Sequence, residues 1–228
     1  NHHCKYCHAA VAPMTATQFD MTRETAAKVV DTIFYTNSQS LTIEFQGWES
    51  LVNWDVVQYV VEISNIKALH LKKEVSYSLV TNLSLMTEEK MEWCIENKIG
   101  ISTSLDGDER NHNNNRTGYD GNSFDKVTYW IKKFNTEYER RWRTTRVGAL
   151  LTVTKENLEY YKDIIDTYVG LGLESIFLRW LNPYGFAASD MKTLAYTKEE
   201  WLDFYKKSMD YIIELNKSGK LFRESITS

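Results

Sequence analysis

The chain is 228 residues long and carries 27 Lys and Arg against 31 Asp and Glu, a formal net charge of −4. That balance excludes the strong single-sign field of a nucleic-acid or anionic-membrane binder, and the length suits one large domain with a sizeable core. Three cysteines, two of them clustered, argue against a secreted disulfide scaffold and for a reducing, cytoplasmic setting; no apolar run reaches membrane-spanning length and no signal-like start is visible.

The chain opens with Asn1-His2-His3-Cys4-Lys5-Tyr6-Cys7-His8, a C-x-x-C pair with an aromatic residue before the second cysteine. No strand or helix precedes it. A metal loop needs a scaffold on both sides, so a further segment is expected upstream. Thr22 is placed to cap a helix running to about Tyr35. Leu41 to Gln46 alternates and is β-branched, which predicts a strand. Asn53 is placed to cap a helix whose Val56, Val57, Val60, Val61 and Ile63 form a 3.6-period stripe. Val75 to Val80 reads as a strand, Thr87 starts a helix through Met91, Cys94 and Ile95, and Gly100 to Leu105 is the next strand. Ser123 opens a helix through Val127, Trp130, Ile131 and Phe134. Val147–Val153 is a strand, Asn157–Val169 a helix stopped at Gly170 and Gly172, and Ser175–Leu181 a strand. Thr197 to Asn216 is a long amphipathic helix.

Five strand–helix units thus follow one leading helix. Alternation of this kind predicts parallel pairing through right-handed crossovers, in an α/β fold. A β/α barrel or a doubly wound sheet lacking its first strand accounts for a leading helix without a partner strand. In both folds ligands sit at the carboxyl ends of strands. The residues this singles out are Gln46, Gly47 and Glu49; Thr81 and Asn82; Ser104 and Asp106; Thr152 and Thr154; Arg179 and Asn182.

Four readings compete for Cys4 and Cys7. Two unliganded thiols fit poorly with a polar, His-rich run. A structural zinc site would need two more ligands, which His2, His3 and His8 could supply in part. C-x-x-C-H is also the attachment pattern of c-type haem, but those proteins are mostly small and helical. The fourth is an iron–sulfur cluster with a third cysteine just before residue 1.

The opening run resembles the C-x-x-x-C-x-aromatic-C signature of radical S-adenosylmethionine (SAM) enzymes without its first cysteine. Further along, Phe45-Gln46-Gly47-Trp48-Glu49-Ser50 resembles the F-Q-G-G-E-P stretch of peptide-modifying members. Leu79-Val80-Thr81-Asn82-Leu83 resembles T-N-G/T-N-L, Ser102 to Gly107 resembles S-x-S-L-D-G with Arg116 following, and Leu178 to Gly185 resembles L-R-P-L-N-P-Y-G. The pieces are weak singly, but they occur in order, at strand ends, over nearly the whole chain. Within the family the wording is similar to maturases of the His-Xaa-Ser peptide system, and more broadly to anaerobic sulfatase maturases.

The resemblance implies a partial (β/α)6 TIM-like barrel over residues 1–228, with its first strand before residue 1; relatives often carry a C-terminal auxiliary-cluster domain with further cysteines, and as none follows Cys94 that domain is expected to be absent or removed. It implies a [4Fe–4S] cluster held by three thiolates, Cys4 and Cys7 among them, whose open iron binds SAM. Reductive cleavage of SAM would then release a 5′-deoxyadenosyl radical that abstracts hydrogen from a peptide or protein. Tyr6, Gln46, Gly47, Glu49, Asn82, Ser104, Arg116 and Arg179 are the implied SAM-side residues. A carboxylate at Glu49 suits an ammonium, and the Arg116 fork suits a carboxylate. An electron donor such as flavodoxin or ferredoxin is implied, and neither nucleic acid nor membrane. Two thiolates cannot hold the cluster, so the chain as it stands is expected to be inactive.

Two departures and several plainer readings stand beside this. The family's second glycine is Trp48 and its proline is Ser50. Glu49 could cap the helix near Asn53, and Asp106 could close a turn with Gly107. Arg116, after the polar run 111–115, could be a solvated loop residue, and Arg179 an ion-pair partner at a rim. Cys94 has the spacing of a core residue, and His70 and His112 read as structural or surface. Competing functions are a degenerate barrel that binds a peptide or nucleotide without radical chemistry, and a zinc protein.

Overall fold

The computed structural model describes residues 2–7, 13–118 and 121–226. Asn1 and His8 of the opening run lie outside them. The chain divides into two compact units, Ala12–Ser102 and Asn1–Val11 with Thr103–Ser228. A short strand β1 (His2–Cys4) starts the second of these.

The unit Ala12–Ser102 contains α1 (Arg23–Phe34), β2 (Ser40–Phe45), α2 (Trp54–Leu71), β3 (Glu74–Val80), α3 (Glu88–Glu96) and most of β4 (Ile99–Ser104). β2, β3 and β4 are parallel neighbours in that order. Period-2 alternation separates their two faces. Ile43, Tyr77, Leu79, Ile99 and Ile101 are buried, as are Val30, Phe34, Val60, Val61, Met91, Cys94 and Ile95 of the helices. The alternate face carries Thr42 opposite Ser76, Glu44 opposite Ser78, and Ser78 opposite Gly100. Each large aliphatic side chain buried this way stabilises by about 1.5–3 kcal/mol.

Thr22 caps α1 as expected, and Thr87, read as the start of a helix, caps α3; each accepts from the N–H three residues on. Asn53 does not cap. Its Nδ2 donates to the Met21 carbonyl at 2.9 Å, and Glu49 instead caps a short 3-10 turn over Ser50–Asn53. α2 ends on Lys72 in a left-handed conformation, φ 55, with no glycine present to signal the stop.

In the other unit, β4 is followed by α4 (Glu109–Asn115), β5 (Arg116–Gly118) and α5 (Ser123–Arg140). Then come β6 (Gly148–Thr152), α6 (Tyr161–Gly170), β7 (Ser175–Arg179), α7 (Phe186–Ser189), α8 (Met191–Leu194), α9 (Lys198–Lys217) and β8 (Arg223–Glu224). β6, β7 and β8 run parallel. Leu105, just past β4, donates its N–H to the carbonyl of Leu150 in β6 at 3.0 Å. Phe134, Tyr138, Leu151, Ile164, Tyr168, Ile176, Leu178 and Phe204 fill the core of this unit.

Three local details differ from the sequence reading. Asn122, not Ser123, caps α5. α6 starts at Tyr161, because Thr154 and Asn157 form a capping box on a separate 3-10 turn first. The segment 109–118, polar enough to read as loop, folds into α4 and β5. β1 then pairs antiparallel with β5, placing Cys4 opposite Arg116. The α/β organisation with parallel strands is the expected one. Among the described residues no helix is long and apolar enough to cross a membrane.

Candidate functional site

The cysteine loop is held at three points of backbone. Cys7 N–H donates to the Cys4 carbonyl at 3.0 Å, closing a turn that brings the two thiol-bearing residues to one end. Lys5 N–H donates to the Asn115 carbonyl at 3.0 Å, and Phe186 N–H donates to the Cys7 carbonyl at 2.8 Å. The loop is thus fixed by the end of α4 on one side and by the start of α7 on the other. Tyr6, between the cysteines, is buried with Ala187 and Leu194 and packs on Leu181.

Beneath the loop lies a buried polar cluster. Asp106 is fully buried. Its Oδ2 accepts from the Tyr6 hydroxyl at 2.5 Å and from Arg116 Nε at 3.1 Å. The Arg116 guanidinium lies over the Tyr6 ring, 5.2 Å from its centroid, and its Nη1 reaches the Cys4 sulfur at 3.7 Å. Ser123 Oγ donates to the Arg116 carbonyl at 2.5 Å. Asp106 N–H donates to His112 Nδ1 at 3.2 Å, which fixes the neutral Nε2–H tautomer of that ring. Tyr168 Oη donates to the Leu105 carbonyl at 2.5 Å.

Burial dominates the protonation of these groups. It pushes the Cys4 thiol up, with the Arg116 charge opposing. It pushes Asp106 up against the pull of Arg116 and the Tyr6 hydrogen bond. It also pulls His112 well down, helped by Arg116. Burial works against the Arg116 charge too, but Tyr6, Asp106 and Cys4 outweigh it, and the guanidinium stays protonated.

A second polar centre lies in the other unit, at the ends of β2 and β3. Glu49 is 7% exposed. Its Oε1 accepts from Thr81 Oγ1 at 2.5 Å and from Leu51 N–H at 3.1 Å, and its Oε2 accepts from Asn82 N–H at 2.8 Å. Thr81 Oγ1 in turn accepts from Leu83 N–H at 3.0 Å. Asn82 Oδ1 accepts from Ser84 N–H at 2.9 Å. Leu83 sits at φ 62, a left-handed conformation that suits the glycine of the T-N-G wording better than leucine. Glu49 is therefore a brace between two strand-end loops, and burial raises its pKa against those hydrogen bonds. Gln46 and Gly47 are exposed, and nothing approaches within 4 Å of where a Gly47 Cβ would be. Trp48 is exposed, edge-on to Phe19 at 6.3 Å, and has no positive φ, so the chain path does not require glycine there.

The remaining strand-end residues are in the unit of the cysteine loop. Ser104 ends β4, half-buried. Arg179 ends β7 and donates from Nη2 to Thr152 Oγ1 at 3.0 Å; no acidic partner is recorded for it among the described residues. The structure brings Cys4, Tyr6 and Arg116 into contact with one another. Asp106, singled out as a strand-end residue, joins them: its carboxylate faces inward onto Tyr6 and Arg116 rather than into a turn with Gly107. His112 is structural, as expected, although its partner is a backbone N–H that no sequence pattern signals.

The thiols fit an iron–sulfur centre in kind: two soft donors on one tight turn, with a buried cation beside one of them. Among the described residues no group of three or more His, Cys, Asp or Glu side chains converges as a metal site. The described part of this loop thus offers two free thiols, where a cluster of the expected kind takes three.

Comparison with known proteins agrees with this chemistry. The chain is 26% identical over 190 residues to an uncharacterized protein of Methanocaldococcus jannaschii, covering 80% of this chain and 59% of that protein. It is 24% identical over 229 residues to the radical SAM cyclopropyl synthase TigE of Paramaledivibacter caminithermalis, covering 92% and 45%. It thus spans about half the length of the curated relatives it matches. Among solved structures it resembles native anSMEcpe with bound AdoMet and the Kp18Cys peptide, at TM-score 0.78 and 18% identity over 97% of this chain and 59% of that one. It also resembles Streptococcus suis SuiB bound to its precursor peptide SuiA, at TM-score 0.67 and 15% identity over 95% and 44%. At such identities these structures speak for the fold. The Radical SAM superfamily model matches residues 1–167, the span that carries both cysteines, Glu49, Asp106 and Arg116, and the chain belongs to that superfamily.

Proposed function

We propose that this chain is the core of a radical SAM enzyme that modifies a peptide or protein after translation. The observation that carries the reading is the cysteine loop itself. Cys4 and Cys7 are exposed enough to ligate, while Tyr6 between them is locked inward on Asp106 at 2.5 Å. When bound, a [4Fe–4S] cluster with SAM supplies a one-electron cleavage that yields a 5′-deoxyadenosyl radical. The residues of this chain hold and orient. Cys4 and Cys7 are ligands, and Tyr6 anchors their turn. By their motif positions Gln46, Gly47, Asn82, Ser104 and Arg179 are read as SAM contacts. Glu49 is read as the carboxylate that orients the backbone of the loop facing the SAM amino group.

A peptide substrate is favoured by two similar proteins, anSMEcpe and SuiB, crystallised with peptides. The motif wording points further, to maturases of the His-Xaa-Ser system and to anaerobic sulfatase maturases. A flavodoxin or ferredoxin as electron donor and a cytoplasmic setting complete the reading.

The test is anaerobic reconstitution of the whole protein that carries this sequence, followed by reduction in the presence of SAM and assay of 5′-deoxyadenosine. Formation is expected, and its loss is expected on Cys7→Ala. A reconstituted protein that binds iron and cleaves no SAM under strong reductant would sink the enzyme reading. Stoichiometric zinc with no iron uptake would replace it with the zinc alternative.

A further inference from the structure

We infer that Arg116 is a positioning residue that holds positive charge against the Cys4 thiolate and thereby sets the reduction potential of the iron–sulfur cluster. The inference rests on the radical SAM reading and deepens it. The register of β1 on β5 places Cys4 directly opposite Arg116. Arg116 is 7% exposed, and its guanidinium cannot lose its proton. It has little freedom to move away. Its Nε is bonded to Asp106 Oδ2 at 3.1 Å, its plane lies over the Tyr6 ring at 5.2 Å, and its own carbonyl is held by Ser123 Oγ at 2.5 Å. What remains is directed at sulfur, with Nη1 at 3.7 Å from Cys4 Sγ.

Two physical effects then act in one direction. Reduction adds negative charge to the cluster and its thiolates, and a fixed cation nearby favours the more negative form. An N–H donated to a ligating sulfur does the same. Both are stronger in a buried site, where the effective dielectric constant is low. Asp106 opposes the cation, but it lies at the Nε end of the guanidinium, away from the group that faces Cys4. Replacing Arg116 with a neutral residue removes the cation and also leaves Asp106 uncompensated. Both changes make reduction harder.

The experiment is an EPR-monitored redox titration of the reconstituted whole protein, beside Arg116→Gln and Arg116→Lys, with iron content measured for each. Arg116→Gln is expected to lower the reduced-to-oxidised ratio at a fixed potential by about tenfold, which is about 59 mV for a one-electron couple. Arg116→Lys keeps the charge and loses the fork, and a smaller shift in the same direction is expected. If Gln folds but loses iron, the Lys variant decides. Potentials equal to wild type in an iron-replete variant overturn the inference, as does failure of both variants to fold or to hold iron, which makes Arg116 a purely structural support. A wild-type protein that assembles no cluster defeats the radical SAM reading as well. A wild type that cleaves SAM alongside variants of unchanged potential defeats this inference alone.

Discussion

Tyr6 and Asp106 stand 100 positions apart in the chain, and the hydroxyl of the first donates a 2.5 Å hydrogen bond to the buried carboxylate of the second. That bond ties the cysteine loop to the segment just past β4. It also explains why an aromatic residue that carries a hydroxyl suits the position between the two cysteines. The ring fills an apolar pocket with Ala187 and Leu194, and the hydroxyl satisfies a buried anion.

Tyr6→Phe keeps the ring and deletes the donor. Asp106 then keeps Arg116 but loses its other side-chain donor in a site with no exposure. Leaving a buried acceptor short costs about 1–3 kcal/mol. Urea denaturation of the apo protein should show that loss, and an unchanged midpoint would mean that water replaces the hydroxyl.

Asp106→Ala should be more damaging, because it strands the Arg116 guanidinium with no carboxylate. Breaking a buried pair from one side costs about 3–5 kcal/mol. The comparison to make is with the Asp106→Ala, Arg116→Met double variant. It should recover part of the loss, since it removes the unpaired charge as well. A double variant less stable than the single one would contradict this account of the pair.

Gly107 is required by both space and backbone. Its φ is +94, and a Cβ there would lie 2.5 Å from Ile164 Cγ1. Gly107→Ala should destabilise by about 1–3 kcal/mol through overpacking, with the backbone strain in addition. In an Ile164→Ala background most of the overpacking should go, since only Ile164 Cβ at 3.3 Å and Cα at 3.4 Å remain, while the strain stays. Equal penalties in both backgrounds would show that the contact with Ile164 is not the cause.

Glu49 sets a pH dependence whose sign follows from its raised pKa, caused first by burial. In the unfolded chain a glutamate titrates near about 4.3. The folded protein therefore holds more protons than the unfolded one between that value and the higher folded pKa. Stability contributed by this group is present below about pH 4.3 and is lost as pH rises through the folded pKa. The unfolding free energy of wild type minus that of Glu49→Gln should fall across that window and then level. A difference independent of pH would refute the raised pKa and mean that the accepted hydrogen bonds offset burial.

His112 has the opposite sign. Burial holds its pKa well below the usual value, and its Nδ1 is occupied by the Asp106 N–H. Protonation would break that bond beside a fixed guanidinium. Stability should fall as pH drops below about 6.5, by up to about 1.4 kcal/mol per pH unit. NMR of the imidazole in the folded protein should show a neutral ring at pH 6; a protonated ring there would refute the assignment.

Much of the fold was legible in local pattern. Thr22 caps its helix as read, and the helices read from Thr87 and Thr197 begin at those residues, each of which proves to be a cap, because capping depends on residues within one turn. The strands at Leu41, Val75, Gly100, Val147 and Ser175 were legible from alternation and from β-branched or apolar runs. Cys94 proved to be core because its spacing alone puts it on the buried stripe of α3. The failures are tertiary. Asn53 carries the residue type of a cap, yet its side chain reaches the Met21 carbonyl instead. Nothing in the polar run 109–118 signals the strand β5, since its pairing with β1 is made with residues more than a hundred positions away.

For the site, the amino-acid sequence by itself determined the donor types and their order. Two thiols with a tyrosine between them, a carboxylate after β2, an aspartate–glycine pair after β4 and an arginine beyond it are properties of composition and spacing. The tertiary structure alone decided what each of them does. It turned Asp106 inward as the buried partner of Tyr6 in the cysteine loop. It made Glu49 a brace between two strand ends, and it aimed Arg116 at the Cys4 sulfur. The physical reason is desolvation. In the chain these are polar residues that water would satisfy equally well, and only burial obliges each one to find a particular partner.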